Sequence, residues 1–178
     1  MNLPIFLTLL RILLIPALVV ALLSRFEGKE LTAFAIFVLA AITDSLDGIL
    51  ARRRKQITPM GQLLDPIADK LLIAAAFICL VELGTVSAWM VIIILGREIA
   101  VTGFRALASS KGIIISASRI GKFKMLFEVI TIGFLILGEK YLGSFYFLSQ
   151  ILLWIVIATA VLSAVEYYVK FGPRVLSK

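Results

Sequence analysis

Residues 44–70 read DSLDGILARRRKQITPMGQLLDPIADK, and they set four aspartates, Asp44, Asp47, Asp65 and Asp69, beside and within some of the most apolar sequence in the chain. An unpaired charge at membrane depth costs at least about 2.5–3.5 kcal/mol on insertion scales, so acids in such a place face an interior site and mark function. Something must hold them charged. Asp44 and Asp47 are three residues apart near the end of one predicted helix, and Asp65 and Asp69 are four apart near the start of the next. Both spacings put the pair on one helix face. Two such pairs on consecutive antiparallel helices would make a pocket of four carboxylates at one depth. Between them, Thr58 suits a helix N-cap and Pro59 the first helical position, so the later helix is expected to begin near Pro59. Pro66 is expected to bend it.

The flanking sequence gives the class. Of 178 residues 61% are hydrophobic and only 16% charged, with mean hydropathy +1.08. A soluble domain is nearer half apolar and a quarter charged, so the composition points to an all-α membrane bundle in a single domain over residues 1–178. Apolar runs long enough to cross about 30 Å of hydrocarbon recur along the chain. They read as six transmembrane helices, at Leu3–Leu23, Leu31–Leu50, Leu63–Leu83, Ala88–Ala108, Phe123–Leu137 and Phe145–Val169. The fifth is the shortest, with Lys122, Lys124 and Glu128 crowding its start. Short connections suggest that successive helices are neighbours in an up-and-down bundle. Arg11 lies inside the first run with no small-residue cleavage site after it, which argues for a retained helix over a secretory signal.

The formal net charge is +7, and its distribution orients the bundle. With the N-terminus inside, the outer connections hold Arg25, Lys29 and Lys140 against Glu27, Glu30, Glu82 and Glu139. Arg52, Arg53, Arg54, Lys55, Lys111, Arg119, Lys122, Lys170, Arg174 and Lys178 fall on the other side. The positive-inside rule then puts both termini and the aspartates on the cytoplasmic face of the cell (inner) membrane. Nucleic acid is a poor partner, because the basic residues flank membrane helices and lack an aromatic stacking platform.

The chain has no histidine and one cysteine, Cys79, in an apolar helix. That excludes an intrachain disulfide, a zinc site of Cys and His, and an imidazole base. Four carboxylates in low dielectric repel one another, and a hard divalent cation resolves the repulsion: oxygen ligands alone favour Mg²⁺, Mn²⁺ or Ca²⁺. Four acids could hold two ions, an arrangement that clamps a phosphoryl group for in-line displacement. Gly48 and Gly61 remove side chains where a ligand or the other helix approaches, Ala51 keeps that surface low, and Arg52 offers a guanidinium suited to phosphate. The plainer readings are a structural hydrogen-bonding acid, packing glycines, and an RRRK run that only sets topology or meets anionic headgroups.

The full pattern is Asp44, Asp47, Gly48, Ala51, Arg52, Gly61, Asp65 and Asp69 at these spacings. It resembles, at every fixed position, the signature of the CDP-alcohol phosphotransferase family. The likeness covers about a seventh of the chain, and the family's six-helix core agrees with the reading above. It implies a membrane enzyme that uses an alcohol to displace CMP from a CDP-linked donor, with Mg²⁺ or Mn²⁺ as two bound ions, working as a homodimer. On that likeness Asp44, Asp47, Asp65 and Asp69 are metal ligands, and Asp69 is also the general base. Asn2, Thr8, Asp44, Gly48, Ala51, Arg52 and Gly61 would then shape the CDP site.

MNLPIFLTLLR at the start, GREIAVTGFR over Gly96–Arg105 and RIGKFK over Arg119–Lys124 resemble one branch of that family. The branch makes phosphatidylglycerophosphate from CDP-diacylglycerol and glycerol 3-phosphate. The chain departs from it at Ile5, where Asn is common, and at Met125 and Glu128, where Thr and Gln are usual. Independently, Arg97, Arg105, Arg119, Lys122 and Lys124 sit at or near the expected cytoplasmic ends of helices 4 and 5. Cations there suit an acceptor carrying its own phosphate. Their plainer roles are snorkelling and topology, and for Arg97 pairing with Glu98 or another buried acid. Other acceptors are inositol phosphate, phosphatidylglycerol and serine. From a different class, a cation-coupled transporter would also need acids across the whole membrane depth.

Overall fold

Every apolar run named above forms a helix. The computed structural model describes residues 3–54, 59–113 and 119–176, with side chains over 6–43, 64–113 and 123–173. Among these residues there are six α-helices: α1 (Leu3–Leu23), α2 (Lys29–Arg54), α3 (Pro59–Glu82), α4 (Ala88–Ser110), α5 (Arg119–Leu142) and α6 (Phe147–Leu176). A 3₁₀ turn, Gly143–Tyr146, links the last two. The third helix does begin at Pro59, and it remains helical through Pro66; Thr58 lies outside the described residues. α5 is broken at Gly138, whose φ of 65° and ψ of −175° suit only glycine. The break falls one residue past the expected end of the fifth apolar run.

Helical spacing explains the core. Ala33, Phe37 and Ala40 recur every three or four residues on α2, and Leu153, Val156, Ala160 and Ser163 do so on α6; all are buried. Phe77 and Leu80 of α3, Leu18 of α1, Ile94 of α4 and Ile132 of α5 close the same cluster. Gly133 lets α5 approach α2: a Cβ there would meet the Phe34 ring at 3.1 Å. The opposite faces are apolar too. Leu13, Ile92 and Ile99 are 70%, 70% and 71% exposed, and the Trp89 and Trp154 rings pack at 5.9 Å while both remain half exposed. Lipid is the solvent in which such surface is stable; in water it would drive association.

Among the described residues, two stretches are long and apolar enough to cross a membrane by length and composition: Phe6–Leu23 in α1 and Phe123–Pro173 through α5 and α6. α3 and α4 fall short of that measure because Asp65, Asp69 and Lys70, and Arg97, Glu98 and Arg105, interrupt their apolar runs.

Among the described residues the expected nearest-neighbour order holds for α1 with α2, for α5 with α6 and, less extensively, for α3 with α4. α1 packs against both α2 and α3, which touch each other only slightly among the described residues. α4 docks on α6 and makes next to no backbone contact with α5 among the described residues. Polar reach explains the first departure, since Thr8 and Arg11 of α1 have partners on α3 and α2 respectively. At the end of the bundle away from Asp65, a cavity of about 270 Å³ lies among Leu22, Leu80, Leu135 and Gly138. The Glu30–Lys140 ion pair, at 3.4 Å, lines it.

Candidate functional site

α3 carries Asp65 and Asp69 one turn apart, both partly buried, with Ala68 between them fully buried. Small Ala68 allows close packing in this turn, and α1 is the helix that packs most extensively on α3. Thr8 of α1, itself fully buried, donates its hydroxyl hydrogen to Asp65 Oδ1 at 2.5 Å. That bond fixes one oxygen of the Asp65 carboxylate. Lys70, next to Asp69, bends back to donate to the Pro66 carbonyl at 3.2 Å.

One turn beyond Thr8, Arg11 is fully buried, and its Nε donates to the Ala40 carbonyl of α2 at 3.4 Å. Thr43 Oγ1 donates to the same carbonyl at 2.7 Å. Ala40 stands one turn before Asp44, so α1 is joined by polar bonds to the aspartate-bearing stretches of both neighbouring helices. Asp44 and Asp47 themselves lie outside the described side chains, as do Asn2, Gly48, Ala51, Arg52 and Gly61. Among the described residues no three potential metal ligands come together. Asp65 and Asp69 offer oxygen donors alone, the chemistry of a hard divalent cation.

A second polar cluster joins α4, α5 and α6. Arg97 donates through Nε to Ser163 Oγ of α6 at 3.0 Å and through Nη1 to Glu98 Oε1 at 2.5 Å. Lys124 of α5 donates to the same Glu98 oxygen and, at 2.8 Å, to Glu128 one turn along its own helix. Lys124 is 1% exposed, so its charge is tolerated only because carboxylates meet it. Of the five cations expected to receive an acceptor phosphate, the structure brings together Arg97 and Lys124. Arg105 is exposed two turns further along α4, and Arg119 and Lys122 lie outside the described side chains. The pairing of Arg97 with Glu98, weighed above as its plainer role, is present.

Arg11, Glu128 and Ser163 were not among the expected site residues. Arg11 had a legible signal, a charge well inside an apolar run. Ser163 had none, because a lone serine in an apolar helix is ordinary.

Comparison with known proteins gives the family. The sequence profile of the CDP-alcohol phosphatidyltransferase family matches residues 1–162. The chain is similar to the CDP-diacylglycerol–glycerol-3-phosphate 3-phosphatidyltransferase of Bacillus subtilis (strain 168), 38% identical over 183 residues, covering 95% of this chain and 94% of that protein. The protein of the same name from Rickettsia felis is 35% identical over 170 residues, covering 94% and 93%. That of Haemophilus influenzae is 35% identical over 171 residues, covering 93% and 91%. Matched over nine-tenths of its length by the profile and nearly end to end by these relatives, the chain belongs to the CDP-alcohol phosphatidyltransferase family.

Proposed function

We propose that this protein transfers the phosphatidyl group of CDP-diacylglycerol to glycerol 3-phosphate, forming phosphatidylglycerophosphate and releasing CMP. The near-full-length likeness to relatives named for that reaction carries the reading. The carboxylates of α3 and the cations joining α4, α5 and α6 supply the side chains it needs. It acts as a single six-crossing membrane domain with both termini and the site on the cytoplasmic side, a reading supported by the charge asymmetry and by the exposed apolar faces. It works as a homodimer, for which the family resemblance is the support.

Asp44, Asp47, Asp65 and Asp69 would hold two Mg²⁺ or Mn²⁺ ions, which when bound neutralise the donor's pyrophosphate and stabilise the departing CMP. Thr8 fixes the Asp65 oxygen it bonds, so the carboxylate is oriented before any ligand arrives. Asp69, one turn away, takes the proton of the attacking hydroxyl. The acceptor oxygen bonds to the phosphorus that carries diacylglycerol, the bond from that phosphorus to the bridging oxygen breaks, and CMP leaves with the electron pair. Asn2, Thr8, Gly48, Ala51, Arg52 and Gly61 shape the CDP side. Arg97, Arg105, Arg119, Lys122 and Lys124 serve the acceptor phosphate.

The test is CMP release by purified protein in detergent with CDP-diacylglycerol and Mg²⁺, comparing glycerol 3-phosphate, inositol phosphate, phosphatidylglycerol and serine. Asp44→Asn is the control. Release only with glycerol 3-phosphate is expected; release with another alcohol would move the acceptor, and no metal-dependent release from folded protein would overturn the reading.

A further inference from the structure

α4 and α5 have almost no backbone contact among the described residues, although α3 packs against both of them and α6 does the same. Among the described residues, charged side chains bridge the gap. Glu98 on α4 presents a single oxygen, Oε1, to Nη1 of its neighbour Arg97 and to Nζ of Lys124 on α5. The chain of bonds extends at both ends: Arg97 Nε to Ser163 on α6, and Lys124 Nζ to Glu128 on α5. Ser163 in turn donates to the Ala160 carbonyl at 2.9 Å. Two cations and two acidic side chains thus form a thread of bonds from α6 through α4 to α5.

The two carboxylates do different work. Glu128 is one turn from Lys124 on the same helix and goes wherever that helix goes, so it compensates the buried ammonium charge without fixing it in the bundle. Glu98 is on the far side of the gap, and its one oxygen relates the position of Lys124 to that of Arg97. An ammonium has three N–H donors and a guanidinium five; the bonds named above use two of each. The remaining donors belong to two cations held at a fixed separation by one shared oxygen, a geometry that suits the several oxygens of a phosphate monoester.

We infer that Glu98 is a positioning residue of the acceptor site, holding Arg97 and Lys124 across the α4–α5 gap so that both meet the phosphate of the acceptor. The inference rests on the function proposed above. Glu98 touches neither substrate nor metal in this scheme; it acts through the two cations. With Glu98→Gln, Lys124 falls back on Glu128 and Arg97 on Ser163, and the pair loses its common anchor. Glu128→Gln leaves that anchor in place.

The experiment measures KM for glycerol 3-phosphate and, separately, for CDP-diacylglycerol in the wild type, Glu98→Gln, Glu98→Asp, Glu128→Gln, Lys124→Met and the Glu98→Gln/Lys124→Met pair. Glu98→Gln is expected to raise the acceptor KM roughly tenfold or more, the scale of one hydrogen bond to a charged group, with the donor KM unchanged. Glu98→Asp, which keeps the charge on a shorter stem, should recover part of the loss, and Glu128→Gln should lose less than Glu98→Gln. The double variant should be no worse than the more damaging of its two single variants. Equal rises in both KM values, or a loss in Glu128→Gln as large as in Glu98→Gln, would make the network a structural clamp and overturn the inference. Should Glu98→Gln not fold, an unchanged acceptor KM in Lys124→Met overturns it equally. If the wild type does not depend on glycerol 3-phosphate, the proposed function falls and takes this inference with it; if it does and Glu98→Gln keeps the wild-type KM, only the inference falls.

Discussion

Replacing Thr8 by valine removes one hydroxyl from a fully buried position and leaves the side-chain shape nearly intact. What is lost is the 2.5 Å hydrogen bond to Asp65 Oδ1. A hydrogen bond to a charged group contributes about 1.5–3 kcal/mol net, or roughly 10- to 150-fold in an equilibrium constant. Asp65 is only partly buried, so water can replace part of the interaction, and the lower end of that range applies. Loss of an outer partner of a metal-binding carboxylate costs a similar ~10–100-fold in affinity or activity. The assay is CMP release titrated with Mg²⁺ at saturating CDP-diacylglycerol and glycerol 3-phosphate. Thr8→Val should need about ten times more Mg²⁺ for half-maximal rate, while the acceptor KM stays put and Thr8→Ser, which keeps the hydroxyl, behaves as wild type. Superimposable Mg²⁺ titrations for wild type and a folded Thr8→Val would refute the reasoning, because Asp65 would then be indifferent to its only named partner on α1.

Asp69→Asn should lower turnover by about 10²–10⁴-fold, the usual worth of a general base, while CDP-diacylglycerol binding measured directly persists; near-normal turnover would remove Asp69 from that role. Gly138→Ala should cost about 1–3 kcal/mol, because a side chain at φ 65° and ψ −175° is strained. A lowered thermal midpoint in detergent, with activity intact below it, is the expected result. Lys178→Cys should react with a membrane-impermeant maleimide only once the cytoplasmic face is opened, and labelling of intact cells would invert the topology.

Much of the architecture was legible because helices in an apolar chain announce themselves locally. Leu3–Leu23 coincides with α1, and α3 begins at Pro59, where the missing N–H of proline suits the first helical position. The spacing of Asp65 and Asp69 was likewise enough to put them on adjacent turns of α3. What sequence spacing could not supply was the order of packing. Placing α1 between α2 and α3 depends on Thr8 and Arg11 finding partners dozens of residues away, and nothing local encodes that. For the same reason Lys124 read simply as a cation suited to phosphate, whereas its burial and its bonds to Glu98 and Glu128 appear only when α4, α5 and α6 assemble. The argument applied to the aspartates, that a charge at depth must have a partner, holds equally for Arg11, and would have marked it beforehand.

The bonds of α1 also bear on how the protein is made. Thr8 and Arg11 belong to α1, which is synthesised before the groups they bond here, Asp65 of α3 and Ala40 of α2. When α1 leaves the ribosome the Ala40 carbonyl that Arg11 bonds is not yet made, and an arginine in hydrocarbon is costly. Arg11 would hold α1 near the interface or the insertion machinery until α2 follows, and Thr8 would complete its docking only when α3 arrives. Biogenesis of the first three helices is on this view one coupled event, and the carboxylate Asp65 is secured in the same step that settles the amino-terminal helix in the bilayer.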